Sequence, residues 1–270
     1  MQDGESIESA AVDVKVSGFL SQLSRARSRA IVLDYDGTLA PFNSDPSQAY
    51  SYPGVYEALS QIQRDTDTRL VVVTGRRASA IPPLLKLPEI EVWGCDGLER
   101  LRTDGSYEIA RVDASLLVAI GMASSLIECE GLSGFAERKI ASVALHWRGN
   151  EELADHLMRR MRHIWALIPD RSGLRFAPFD GGIEIRAAIK DKGDTVRSIL
   201  SEMGPGLAMA YLGDDLTDED AFGALTRRGL SILVREQYRP TLADAWIKPP
   251  EALLGFLRDW IPACRSDGYG

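Results

Sequence analysis

Two aspartates, Asp34 and Asp36, stand one residue apart directly behind an apolar run at residues 30–33, with Gly37 and Thr38 following. Extended backbone entering a sharp turn points both carboxylates into one crevice, where their charges repel and at least one pKa rises unless a cation neutralises them. Magnesium takes hard oxygen ligands while keeping several waters, and would resolve that conflict. Asp214, Asp215 and Asp218 in GDDLTD follow another apolar run and form a second acidic cluster. Glu219 and Asp220 beyond them read as capping or solvated residues. Thr74, Gly75 and Arg76 in VVVTGRR fall between a strand and a helix, where a hydroxyl and free backbone N–H groups make a phosphate cradle. Lys192 in KDKGDT opens the helix before the second acidic cluster and can reach the same edge. A lone lysine at a helix start is ordinary solvated surface. The ordered series D-x-D-G-T, T-G-R, K-G and G-D-D-x-x-D carries more than any one member.

Short apolar runs must position these groups. Helical spacing over residues 9–27, through Val12, Val16, Phe19, Leu20 and Leu23, gives way to the run at 30–33. GVYEALSQIQRD returns to helical spacing, and RLVVVTGRR and EIEVWG add two further strands. This alternation predicts a parallel sheet covered on both faces, with loops gathered on one edge. From about 103 to 187 the texture changes: GSYEIARVD, RKIASVALHWRG and GGIEIRAAI read as half-exposed strands, separated by helices near 115–130 and 151–167. That stretch reads as an inserted α+β module. The parallel pattern then resumes with a helix at 192–203, strand LAMAYLG, a helix at 218–226, strand LSILV and a helix near 251–259.

Composition narrows the possible functions. The 270 residues are 45% apolar and 26% charged, enough for a substantial core, and the net charge of −8 repels nucleic acid and anionic membrane. An anionic substrate must therefore be held by local positive charge. Cys95, Cys129 and Cys264 lack C-x-x-C spacing and are odd in number, which fits reduced thiols in a cytoplasmic protein. No run approaches a membrane span, and the polar start MQDGESIES lacks a signal-peptide pattern. Oligomeric state is not legible here.

In this order the motifs resemble those of the haloacid dehalogenase superfamily of phosphatases, and DYDGTLAP with GDDLTDEDAF is similar to its trehalose-6-phosphate phosphatase family, over residues 29 to about 260. The resemblance implies an α/β fold: a Rossmann-like parallel-sheet core, residues 1–102 plus 188–270, carrying an inserted α+β cap of the C2 type, residues 103–187, that sets substrate specificity. It implies Asp34 as the nucleophile that becomes an aspartyl-phosphate, and Asp36 as general acid and then base. Asp34, the backbone carbonyl of Asp36 and Asp214 would hold Mg2+, with Asp215 and Asp218 supporting that shell. Thr74 and Lys192 would hold the transferring phosphoryl oxygens, beside Gly75 and Arg76 in the substrate cradle. The family's cap has an E-x-K pair, an Arg nine residues after that Lys, and a Glu eight residues before the third-motif Lys. Glu137, Lys139, Arg148 and Glu184 stand at those intervals, and in the family such residues grip sugar hydroxyls.

Two positions depart from expectation. Family members commonly read G-x-H-G where this chain reads GCDG, so Asp96 replaces an imidazole, and a carboxylate there weakens phosphate binding unless it points away or meets a cation. His146 matches a family motif, but beside Trp147 on an apolar strand it reads as a packing residue. The expected activity is Mg2+-dependent hydrolysis of a small-molecule sugar phosphate, trehalose 6-phosphate first. Related phosphatases of sucrose phosphate, mannosyl- or glucosyl-3-phosphoglycerate or glucosylglycerol phosphate are the nearest alternatives. A catalytically silent sugar-phosphate sensor and a response-regulator-like module are the alternatives outside that class. Retention of both Asp34 and Asp36 argues against the sensor, and the long insert argues against the signalling module.

Overall fold

The computed structural model describes residues 14–43 and 45–265; the start of the helix expected from residue 9, with Val12, lies outside them. In chain order the elements are α1 (described over residues 14–20), β1 (Ser28–Leu33), α2 (Val55–Asp65), β2 (Thr68–Val73), α3 (Ile81–Leu85), β3 (Glu91–Gly94), β4 (Glu99–Leu101) and β5 (Tyr107–Ile109). Then come α4 (Ala114–Cys129), β6 (Ala136–Lys139), β7 (Ser142–His146), α5 (Ala154–Leu167), β8 (Leu174–Phe179) and β9 (Gly182–Ala187). The chain closes with α6 (Lys192–Met203), β10 (Leu207–Gly213), α7 (Glu219–Leu225), β11 (Leu230–Val234), β12 (Ala245–Ile247) and α8 (Glu251–Cys264).

The large sheet has the order β12-β11-β10-β1-β2-β3-β4-β5 and is parallel from β12 to β3. The inner stretches of its central strands, residues 30–33 of β1 and 70–73 of β2, are apolar at every position because both faces are covered. Along β1, Ile31 and Leu33 join a core shared with α2 and α8, while Ala30 and Val32 join a second core shared with α6 and α7. Successive side chains of β2 and β10 divide in the same way. Trp260 of α8 is fully buried, and its indole Nε1 donates to Thr68 Oγ1 at 2.8 Å, pinning that helix to the start of β2. Truncating this side chain to alanine would cost about 3–5 kcal/mol.

The smaller sheet is antiparallel, order β6-β7-β9-β8, with α4 and α5 packed on one face. Val143, Leu145, Ile183 and Ile185 point into that apolar layer. Their alternates carry the polar groups, and register puts Glu137, Ala144 and Glu184 in one row and Lys139, Ser142 and Arg186 in the next. Period two thus builds a wet face opposite a dry one.

One expected strand belongs elsewhere. Residues 107–109 were expected in the insert, yet β5 pairs antiparallel with β4 and forms the edge of the large sheet. The cause is the intervening TDGS turn: Asp104 Oδ1 accepts from Ser106 N–H at 2.9 Å and Gly105 takes a positive φ of 82°, folding the chain straight back on itself. No described helix is long and apolar enough to cross a membrane. The three cysteines are free thiols.

Candidate active site

Parallel register sets the edge where chemistry gathers. Leu33 pairs with Val72 on one side and Leu212 on the other, so the residues that leave β1, β2 and β10 emerge together. Those residues include Asp34, Thr74 and Asp214. From β1 the chain moves to one side of the sheet and returns at β10 on the other, so these carboxyl ends flank a topological switch point.

Lys192 is the first residue of α6, fixed there by a capping box in which Asp191 and Asp194 exchange backbone and side-chain hydrogen bonds. Its Nζ donates to Asp34 Oδ1 at 2.7 Å and to Asp218 Oδ1 at 2.8 Å, and both contacts are buried. Gly193 behind it has no alternative: a Cβ there would press on the Asp220 carbonyl of α7. Asp218 also accepts from the Tyr211 hydroxyl at 2.6 Å and from the backbone N–H groups of Asp214 and Asp215 at 3.1 and 2.9 Å. With four donors on two oxygens, Asp218 braces the loop and Lys192. Asp34 and Asp214 carry fewer donors and could hold an ion.

One oxygen from each of Asp34, Asp214 and Asp218 falls within a cluster 4.8 Å across. Asp214 Oδ1 is buried with no hydrogen-bond partner among the described residues. A Cβ on Gly37, whose φ is +82°, would overlap the Asp214 carboxylate, so glycine alone admits it. This donor set suits a hard divalent cation. Burial and the neighbouring carboxylates push Asp34 up to about 8 against the pull of Lys192, and raise Asp214 well above the usual range. Lys192, facing two carboxylates, is shifted upward and keeps its charge despite its burial. Three acids against one ammonium leave an excess of negative charge that a cation would balance.

The remaining candidates line one cleft of about 940 Å³, open mouth included, which lies between the large sheet and the polar face of the small one. Asp34, Asp36, Thr74, Gly75, Arg76 and Lys192 enter it from below. Glu137, Lys139, Arg148 and Glu184 enter from above, and Asp215 borders it. Asp214 and Asp218 are buried behind that lining. Asp36 is gripped by Arg76, whose Nε and Nη2 each donate at 2.6 Å, and Arg76 Nη1 donates to the Pro46 carbonyl at 2.6 Å. Thr74 Oγ1 accepts from Arg76 N–H at 3.1 Å, tightening the cradle turn. Asp215 Oδ1 accepts from Leu216 N–H and, at 3.1 Å, from Asp180 N–H at the β8–β9 turn, so it ties the acidic loop to the cap.

On the cap, Lys139 Nζ lies 3.3 Å from Glu184 Oε1 and 3.7 Å from Glu137 Oε2. His146 corrects the packing expectation. Its side chain is half exposed and lines the cleft, its Nε2 is 3.0 Å from Glu137 Oε2, and its ring meets Phe179 edge-on. The cause is strand parity, since His146 shares the polar face with Ser142 and Ala144. That imidazole contact and Lys139 hold Glu137 down to about 2. Arg148 donates to the Asp180 carbonyl and stacks over Phe42 with its Cζ 3.4 Å from the ring centroid. Asp96 meets a cation, Arg186 of β9, at 2.7 Å.

Sequence reasoning missed Tyr211, Arg186, Asp180 and Phe42. Arg186 was accessible, because it stands two residues beyond Glu184 on the same strand and must share its face. Tyr211 carried no signal beyond a polar tip in an apolar run, and the two loop residues carried none.

The sequence matches the family profile described as Trehalose-phosphatase over residues 32–244. An uncharacterised glycosyl hydrolase of Mycobacterium tuberculosis is 31% identical over an alignment 235 residues long that covers 82% of this chain and 17% of that protein. A trehalose-phosphate phosphatase of Mycobacterium bovis is 30% identical over an alignment 222 residues long that covers 78% of this chain and 54% of that protein. The chain therefore spans about half, or less, of the length of these curated relatives. The C-terminal domain of trehalose-6-phosphate phosphatase from C. albicans shares the fold, with a TM-score of 0.78 at 20% identity over 92% of this chain and 96% of that one. A solved trehalose-6-phosphate phosphatase related protein gives 0.63 at 26% identity over 85% and 96%. With the profile match running from β1 to the residue before β12, this chain belongs to the trehalose-phosphatase family.

Proposed function

We propose that this chain hydrolyses trehalose 6-phosphate to trehalose and phosphate, with Mg2+ and through a phosphorylated Asp34. The observation that carries the reading is the buried convergence of Asp34, Lys192, Asp214 and Asp218 at one sheet edge, beneath a cap face rich in hydrogen-bonding side chains. Asp34 and Asp214 would hold the ion with the Asp36 backbone carbonyl, while Asp218 and Asp215 brace the loop. Bound there, the ion supplies positive charge that keeps Asp34 ionised and offsets the charge on the phosphoryl group.

Asp34 attacks phosphorus, forming its acyl-phosphate bond as the bond to the sugar oxygen breaks, and Asp36 gives that oxygen a proton. Asp36 then takes a proton from water, which attacks the same phosphorus and returns Asp34 with release of phosphate. Arg76 donates to both oxygens of Asp36, so the acid role requires the guanidinium to turn from Asp36 toward the phosphoryl oxygens. Thr74, the Gly75 backbone and Lys192 align and neutralise that group, the main requirement of phosphoryl transfer. Glu137, Lys139, Arg148 and Glu184 offer charged donors and acceptors to sugar hydroxyls.

Phosphate release should be measured with Mg2+ across trehalose 6-phosphate, sucrose phosphate, the two glycosyl-phosphoglycerates and glucosylglycerol phosphate, with wild type beside Asp34→Asn. Fastest turnover of trehalose 6-phosphate, abolished by the substitution, is expected. Equal rates from the two proteins would remove Asp34 as nucleophile, and no preference for trehalose 6-phosphate would remove the substrate assignment.

A further inference from the structure

Asp96 is a buried carboxylate that the reaction above does not use. It sits in the turn after β3, where its N–H donates to the Thr74 carbonyl at 3.0 Å, so its position is tied to the phosphate cradle. Its Oδ2 accepts from Arg186 Nη1 at 2.7 Å, across the gap between the large sheet and the cap. Among the described residues this is the only ion pair joining the cap's strands to the core in which both side chains are largely buried; Arg235–Asp180 and Arg175–Asp191 each leave at least one partner a third or more exposed. Arg186 has few alternatives, since its Nε is buried with no partner among the described residues.

What the pair positions follows from β9. Arg186 and Glu184 project from the same face, and Glu184 holds Lys139 Nζ at 3.3 Å. Asp96 Oδ1 and that Nζ both come within 3.7 Å of the point where a side chain on Gly75 would begin. One carboxylate therefore fixes Arg186 with one oxygen and, with the other, faces the cap lysine above the cradle.

We propose that Asp96 is a positioning residue for substrate recognition. Through Arg186 it fixes the register of the cap's polar face over the cradle, so that Glu184 and Lys139 meet the sugar of the sugar phosphate. This rests on the phosphatase reading above, while part of its test does not. Removing one partner of a buried, hydrogen-bonded charge pair is costly because the other is left unpaired.

Asp96→Asn and Arg186→Gln, singly and together, should be assayed for kcat and KM with trehalose 6-phosphate, and for radius of gyration by solution scattering without substrate. The expected result is a KM raised about tenfold or more, set by the loss of one buried charge partner, with a smaller change in kcat. The double variant should be no worse than the single ones, and all three should show an upward shift in radius of gyration at retained cooperative melting. A KM within twofold of wild type, additive losses in the double variant, or an unchanged radius of gyration would each overturn the proposal. The scattering comparison stands even if wild type fails to turn over trehalose 6-phosphate, an outcome that removes the functional reading alone. Where Asp96→Asn melts without cooperativity, Asp96→Glu, which keeps the charge, must restore KM toward wild type; if it folds and does not, the proposal fails.

Discussion

Asp34→Asn should abolish turnover and yet make the metal-free protein more stable. Asp34 is buried beside Asp214 and Asp218 with Lys192 as their shared cation, and its pKa stands near 8 against an ordinary 3.8. Because the folded value lies above the unfolded one, the associated stability is fully present below about pH 4 and is lost as pH rises toward 8. At pH 7 the difference of about 3 units corresponds to roughly 4 kcal/mol at 1.36 kcal/mol per unit. Water entry and adjustment of Lys192 relieve part of this, and about half, roughly 2 kcal/mol, is the gain expected. Asparagine keeps an oxygen for Lys192 Nζ to donate to, so the substitution removes charge while preserving that contact. For a chain of this size the gain is about 4–8 °C in Tm. Thermal melting in chelator at pH 4 and pH 7.5 measures it, with the variant above wild type at 7.5 and level with it at 4. Mg2+ should raise the wild-type Tm more at pH 8 than at pH 5, since the site must shed its proton to bind. A variant less stable than wild type at pH 7.5, or a difference independent of pH, would refute the charge-excess argument.

Gly37→Ala should fold but lose both phosphatase activity and the Mg2+-dependent rise in Tm, because the new methyl overlaps the Asp214 carboxylate at a positive φ; melting with and without Mg2+ reads it. Tyr211→Phe should cost about 1 kcal/mol of stability, the usual net worth of one hydrogen bond, and lower kcat more than it raises KM, since the lost hydroxyl holds Asp218 and not the sugar; denaturant melts and steady-state kinetics check the two parts.

The core was legible because burial on both faces writes an unmistakable pattern. Runs such as AIVL and LVVV admit no polar position, and the residues just past them inherit the same edge through parallel register. The cap candidates came from the intervals of the resembled family, and the structure gives those intervals a geometry: E-x-K is one face of a strand, and Glu184 lies across β7 from Glu137. β5 was misassigned because its three exposed residues carry no burial pattern, so its partner was decided by a turn rather than by apolar periodicity. Arg76 and Arg186 were each within reach as site residues, but their pairing with Asp36 and Asp96 was illegible for a different reason. Arg76 and Arg186 lie 40 and 90 residues away respectively, and only tertiary packing brings such groups together.

If the proposed function holds, that packing explains how a chain with a net charge of −8 prepares a place for an anion. Each cation in the cleft already has an internal partner: Lys192 holds Asp34 and Asp218, Arg76 holds Asp36, Lys139 holds Glu184, and Arg148 holds the Asp180 carbonyl and the face of Phe42. On the proposed function, a phosphate monoester would enter by exchange, displacing acceptors already within hydrogen-bond reach. Free phosphate could replace only some of them. A sugar phosphate brings hydroxyls that can donate to the carboxylates left behind, so the groups displaced by its anionic end are satisfied by its neutral end. On this reasoning discrimination against bare phosphate arises from the carboxylates as much as from the cations, and a cleft stripped of Glu137 and Glu184 would bind phosphate more tightly while recognising the sugar less.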